Sequence, residues 1–475
     1  MDTELVYCNG IAGDSGDYLV SPLSVEQISQ IAQSVHVDAA HLSEIQWVVQ
    51  RRHEKQLTAL PRGIDSNNLG QAGWGVIFPQ DNDSPQREGL AELLAHRRLQ
   101  CGGRYREFVG SDGYRPGESK IDFLTRHGMG PGVLDPERIP FYLLIAASPE
   151  VIPFDFQFQL DVKYGVGRVH FDDVDGYRAY ARSVVRAELP ESSVPHRSIF
   201  FGPRHGGDFA TQRSADHLII PLAERLAAEE SNWSVRALVR EQATKSSLLT
   251  ILHKDAAPAL LLTASHGLAF PNGDSRQRRT NGALVCQDWP GPLQWEIGKP
   301  IPPNMYVSAD DVAGDAVLLG RIAVVFACFG AGTPKTDSFM RSATGTAMDI
   351  APCSFLSELA KRMLAHPPGG ALAFVGHVER AWPSSFLWKR AGEQLHTFKD
   401  LLSRLMNGER VGAALDGFNS RYSELSNDLT EELRNIKEGG KSVKAAQLAD
   451  LWLAHEDARG YVIVGDPAVR LNLAS

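Results

Sequence analysis

Ala259-Leu260-Leu261-Leu262-Thr263-Ala264-Ser265-His266-Gly267 and Ile322-Ala323-Val324-Val325-Phe326-Ala327-Cys328-Phe329-Gly330 are the two stretches that decide the fold. Each is a short apolar run that reads as a β-strand buried on both faces. Each stops at one reactive residue, with glycine next or next but one. Strands of this kind belong to parallel sheets covered by helices, and such sheets bind ligands at the carboxyl ends of their strands. As neighbours in one sheet, the two runs would present an imidazole and a thiol side by side. A cysteine nucleophile and its base require no more.

Outward from this pair, helices and strands alternate nearly throughout, which favours an α/β architecture. Residues 24–35 and 87–98 read as amphipathic helices around the strand Trp74-Gly75-Val76-Ile77-Phe78. The stretch 102–135, rich in Gly, Pro and charge, reads as a long surface connection. Phe141-Tyr142-Leu143-Leu144-Ile145-Ala146-Ala147 is a second buried strand, and a helix is predicted near 175–188. From Ser198 the alternation becomes regular: strands at 198–201 and 235–239, helices at 213–229 and 243–253, then the His266 strand. An insertion over 267–315 separates it from the Cys328 strand. A helix near 354–366, a strand at 371–375, a mostly helical stretch over 394–456 and a closing strand at 461–467 complete the chain. The main boundary is placed near residue 190, giving an N-terminal α/β subdomain over 1–190 and a catalytic domain over 191–475. The similarity of Ile145-Ala146-Ala147-Ser148-Pro149 to Ile463-Val464-Gly465-Asp466-Pro467 hints at two related sheets.

At 475 residues the chain is long enough for two or three domains with full cores. Its 43% hydrophobic and 22% charged residues are ordinary for globular proteins, and its net charge of −9 argues against nucleic acid as the main partner. No apolar run approaches the roughly 18 residues of a membrane helix. The start Met1-Asp2-Thr3-Glu4 lacks the features of a signal peptide. Cys8, Cys101, Cys286, Cys328 and Cys353 are odd in number and scattered, so free thiols in a reducing cytoplasm are expected.

Cys328 is the candidate nucleophile and His266 its partner, against the alternative of a small apolar cysteine closing a buried strand. Gly267 lets its backbone approach a substrate carbonyl, so its N–H and that of Cys328 are the natural oxyanion donors; a simple turn is the other reading. Asp208 and Trp382 could line a specificity pocket, or serve as an N-cap carboxylate and a packing aromatic. Cys286 and Cys353 do not end strands facing a histidine. Arg276-Gln277-Arg278-Arg279 reads as a solvated loop or an exposed processing site. Gly13-Asp14-Ser15-Gly16 copies a serine-protease motif, but the histidine and aspartate that should precede it do not fit in fourteen residues. Zinc-protease, P-loop and dinucleotide motifs are missing, so metalloprotease, P-loop and dinucleotide readings lack support.

Ala264-Ser265-His266-Gly267 and Phe326-Ala327-Cys328-Phe329-Gly330 resemble the caspase–hemoglobinase superfamily of cysteine peptidases. Gly282-Ala283-Leu284-Val285, Ser308-Ala309-Asp310-Asp311 and Gly465-Asp466-Pro467-Ala468-Val469-Arg470-Leu471 resemble its gingipain-like and CHAT branches. The catalytic resemblance covers roughly 195–475, while 140–190 looks like the inactive first subdomain of gingipains. The glycine two places after Cys328 departs from the caspase pattern, where it comes third.

The resemblance implies a caspase-like three-layer sandwich: a mostly parallel sheet with helices on both faces, preceded by a second, inactive α/β subdomain. It assigns Cys328 as nucleophile, His266 as proton donor to the leaving amine, and the amides of Gly267 and Cys328 as oxyanion hole, with no metal or organic cofactor required. The expected function is an intracellular endopeptidase with protein substrates, set in a bacterial defence or cell-death system and switched on by a partner protein or ligand. Cleavage during maturation would fall in the 270–282 or 333–350 loops. The alternatives are a non-proteolytic scaffold and an acyltransferase using the same thiol.

Overall fold

Ten strands form one continuous sheet in the computed structural model, which describes residues 5–34, 60–61, 63–80, 85–130, 132–253, 256–296, 298–341, 347–388, 391–439 and 444–474. In chain order they are β1 (Trp74–Ile77), β2 (Tyr105–Phe108), β3 (Tyr142–Ala146), β4 (Gly165–Val169), β5 (Arg197–Gly202), β6 (Ser234–Val239), β7 (Leu260–Ala264), β8 (Ile322–Phe326), β9 (Ala373–His377) and β10 (Tyr461–Gly465). Their order across the sheet is β2-β1-β3-β4-β10-β9-β8-β7-β5-β6. Every neighbouring pair is parallel except β9–β10. The expected α/β architecture, a mostly parallel sheet with helices around it, is what the chain adopts.

The pattern of side chains explains which strands lie inside. The central strands β3, β4, β7, β8, β9 and β10 are buried along their whole length, as apolar runs covered on both faces must be. β6, at one edge, alternates between exposed and inward residues. β2, at the other edge, carries Arg106 and Glu107, charges that discourage pairing with another chain. β2 lies in the stretch 102–135, which is more than a connection: it holds this strand and the helix Lys120–Arg126. Its charged and glycine-rich sequence hid them, because an edge strand needs little apolar surface.

β1–β4 fill one side of the sheet and β5–β9 the other, and β10 returns from the end of the chain to join them. β10 runs parallel to β4 and antiparallel to β9, so the carboxyl ends of the two groups lie at opposite edges. The hinted pair of related sheets is therefore a single sheet, with Ile145 and Val464 on strands of the same direction. Asp466, just past β10, ties the join together. Its fully buried carboxylate accepts hydrogen bonds from Trp74 Nε1 at 2.9 Å and Arg97 Nε at 2.8 Å. Gly167 allows β4 and β10 to touch, since a Cβ there would fall 2.1 Å from the Gly465 carbonyl oxygen.

The insertion after His266 contributes a second, four-stranded sheet ordered Tyr306–Val307, Leu284–Val285, Gly267–Ala269, Gly10–Ala12. Its last member comes from the start of the chain and pairs in parallel with Gly267–Ala269. This brings the N-terminal segment to the edge where β7 and β8 end. Among the described residues, no helix is long and apolar enough to cross a membrane.

Candidate active site

Register places the two reactive residues level with each other. Ala264, the last residue of β7, pairs with Phe326, the last of β8, and His266 and Cys328 each follow two residues later. Ser265 N–H still donates to the Phe326 carbonyl at 3.1 Å, so the alignment persists past the ladder. Both side chains are fully buried. Gly267 is obligatory: a Cβ there would fall 1.8 Å from the Cys328 carbonyl oxygen. Phe329 holds a positive φ of 57°, which turns the chain sharply after the thiol, and Phe329 N–H donates to the Glu379 carbonyl at 2.6 Å.

The imidazole is held from behind. His266 Nε2 lies 2.7 Å from Asp208 Oδ2, which orients the ring and leaves Nδ1 as the free nitrogen, buried without a partner in the structure. Asp208, expected as a pocket-lining residue, is fully buried behind His266. It caps the helix Phe209–Ser214 by accepting from Ala210 N–H at 3.2 Å, and it accepts from Tyr18 Oη at 2.6 Å and from Thr211 Oγ1. Burial pushes its carboxyl up, but the charge of His266 and the hydrogen bonds of His205, His266 and Thr211 prevail and hold it well below the usual carboxylate range. Trp289 and Tyr18 meet the His266 ring edge-on at 6.0 and 5.9 Å and keep water from it.

The amides of Gly267 and Cys328 converge on one oxygen, the carbonyl of Asn9, at 2.9 and 3.1 Å. Asn9 N–H donates to the Ala381 carbonyl at 3.0 Å, so this residue is held from both sides along its backbone. The Cys328 thiol faces Ala381 N–H at 3.3 Å and the thiol of Cys8. Burial first, and then Cys8, push the Cys328 thiol well above its ordinary value. Asn9, Cys8 and Tyr18 escape sequence reading because residues 5–20 show no periodic pattern, and a backbone carbonyl carries no side-chain signature.

Trp382 follows Ala381 directly. It is buried, with its N–H on Asp457 Oδ1 at 2.8 Å and its ring 4.7 Å from Phe339. Cys286 is buried, with burial raising its thiol pKa, and is bonded to the Leu284 carbonyl. In the arginine tract, Gln277 lies buried in the helix Gln277–Thr280. Arg276, Arg278 and Arg279 pair with Asp274, Asp172 and Asp310. Among the described residues, no group of three or more His, Cys, Asp or Glu is placed to hold a metal.

No protein-family model matches the chain, and no curated protein matches it. Among solved structures, the crystal structure of the Arg-specific cysteine proteinase gingipain R (RGPB) is similar, with a TM-score of 0.49 and 11% identity over 84% of this chain and 78% of that one. A complex of Porphyromonas gingivalis RgpB pro- and mature domains gives 0.47 and 11% over 84% and 79%. A solved protease structure gives 0.46 and 9% over 84% and 78%. Similarity at this level transfers no residue role to the present chain.

Proposed function

We propose that this protein is a caspase-like cysteine endopeptidase, with Cys328 as nucleophile and His266 as the group that takes and returns the proton. The single observation that carries the reading is the convergence of the Gly267 and Cys328 amides on one carbonyl oxygen, beside a thiol and an oriented imidazole. Two donors at 2.9 and 3.1 Å from one oxygen match what stabilises the oxyanion of acyl transfer. Asp208 acts through His266: it holds the ring with Nδ1 free and favours the imidazolium. Trp382, buried next to Ala381, fixes the Ala381 carbonyl, which would accept a substrate N–H as it accepts that of Asn9. Attack by the Cys328 thiolate on a peptide carbonyl forms a thioester and expels an amine that takes its proton from His266, and water then releases the acid.

A diversified peptide library digested by wild type and by Cys328→Ala tests this. Cuts made by the wild type alone support an endopeptidase. A wild type that neither cuts nor reacts with a thiol-directed peptide electrophile sinks the reading in favour of a scaffold. Transfer to an added amine in preference to water would instead indicate an acyltransferase.

A further inference from the structure

The N-terminal segment lies across the site as a peptide substrate would, and we infer that the Asn9–Gly10 bond is a self-cleavage site. This rests on the peptidase reading above. The carbonyl of Asn9 already occupies the two-amide site, and Asn9 N–H is anchored on the Ala381 carbonyl at 3.0 Å. The next residue meets the nucleophile: a Cβ built on Gly10 would sit 2.8 Å from Cys328 Sγ. Only glycine fits at that position while the thiol stands beside it. The Asn9 side chain is fully buried, with Nδ2 3.5 Å from Ser214 Oγ and Oδ1 without a partner, so a small polar side chain fills the subsite before the cut.

The flanking chain is held differently on the two sides of the bond. Before the bond, Leu5–Val6 is tied to Leu23–Ser24 by a two-residue antiparallel pairing. After it, Gly10–Ala12 is built into the four-stranded sheet and Leu19 N–H holds the Gly10 carbonyl at 3.1 Å. A cut at Asn9–Gly10 therefore separates residues 5–9, whose Val6, Cys8 and Asn9 are buried, from the strand built into the sheet. With the segment in place the Asn9 carbonyl fills the two-amide site beside the buried Cys328, so no other peptide carbonyl reaches it.

In the step, the Cys328 proton passes to His266 and the thiolate adds to the Asn9 carbonyl carbon. The Asn9 C–Gly10 N bond breaks as His266 returns the proton to the Gly10 nitrogen. Water then hydrolyses the thioester, leaving an Asn9 carboxylate and the free thiol. The subsite that holds the Asn9 side chain selects asparagine before the cut in other substrates.

Intact-mass measurement and N-terminal sequencing of the full chain test the proposal. Wild type is expected to lose residues 1–9 and start at Gly10, while Cys328→Ala keeps them. Asn9→Phe, checked for folding by its melting temperature, is expected to slow the cut by about 10²-fold, the scale of a misplaced reacting group. A peptidyl electrophile ending in Cys-Asn is then expected to label Cys328 of the processed enzyme, since it needs only the side vacated by residues 5–9. A wild-type chain that retains residues 1–9 yet cuts library peptides would overturn self-cleavage and leave the peptidase reading standing. Equal loss of residues 1–9 from Cys328→Ala would also overturn it, marking spontaneous breakage of an Asn–Gly bond.

Discussion

Of the histidines at or just past strand ends among the described residues, His266 and His170 each stand beyond a strand level with a parallel neighbour's end, and they are equipped differently. His266 follows β7 and faces Cys328 beyond β8, while His170 follows β4 and faces Ala147 beyond β3, at the opposite edge of the sheet. His266 has a carboxylate at 2.7 Å; the nearest acidic oxygen to His170, on Asp172, lies 4.0 Å away. His170 Nδ1 instead lies 3.2 Å from Tyr177 Oη. Burial, and then the charge of Lys361, draw the His170 pKa down to about 4, so it stays neutral and cannot hold a proton at ordinary pH. A strand end provides a position. The neighbouring strand's residue and the carboxylate behind the ring turn that position into a site.

The largest expected effect separates the two ends outright. Cys328→Ala is expected to lower peptide cleavage by 10⁴-fold or more, on the order seen when a nucleophile is removed, while His170→Gln leaves it within about twofold. Comparable losses from both would erase the distinction. Next in size is the carboxylate: Asp208→Asn is expected to reduce kcat by about 10²-fold or more with KM little changed, because the ring loses its orientation and its counter-charge. A change in KM alone would show that Asp208 touches substrate instead.

A smaller effect concerns the thiol. Because burial and Cys8 raise the pKa of Cys328, its thiolate forms only as pH rises above the ordinary cysteine value. Cys8→Ala removes one raising influence. In a His266→Ala background, which keeps residues 1–9, the titration of Cys328 followed by its own ¹³Cβ shift should then move to lower pH. An unmoved titration would show that the two thiols do not communicate. The smallest effect is on stability. With a folded pKa near 4 against an unfolded value of about 6.5, His170 binds a proton more readily in the unfolded chain between those limits. Its contribution is present above about 6.5 and is lost as pH falls towards 4. His170→Gln should flatten the fall in melting temperature across that window, and an unchanged slope would place the acid sensitivity elsewhere.

Legibility in the sequence followed burial. β3, β7, β8, β9 and β10 stand out because a strand covered on both faces must be apolar along its length. β2 and the helix Lys120–Arg126 do not, because they lie at an edge and carry charge. His266, Gly267 and Cys328 are readable for the same reason as their strands, since each is the residue at which an apolar run stops. Asp208 is visible only as a loop carboxylate: its link to His266 spans 58 residues and depends on how the helix Phe209–Ser214 is set against β7.

The sequence by itself determined the alternation of strands and helices and the two chemical groups at the ends of β7 and β8, because apolar periodicity and residue type are local properties. Tertiary structure alone decided that β10 would join two oppositely directed sets of strands into one sheet. It also decided that the Asn9 carbonyl would fill the site at Cys328. Both depend on backbone hydrogen bonds between distant segments, and any residue with an amide and a carbonyl can make those, so no side-chain pattern announces them.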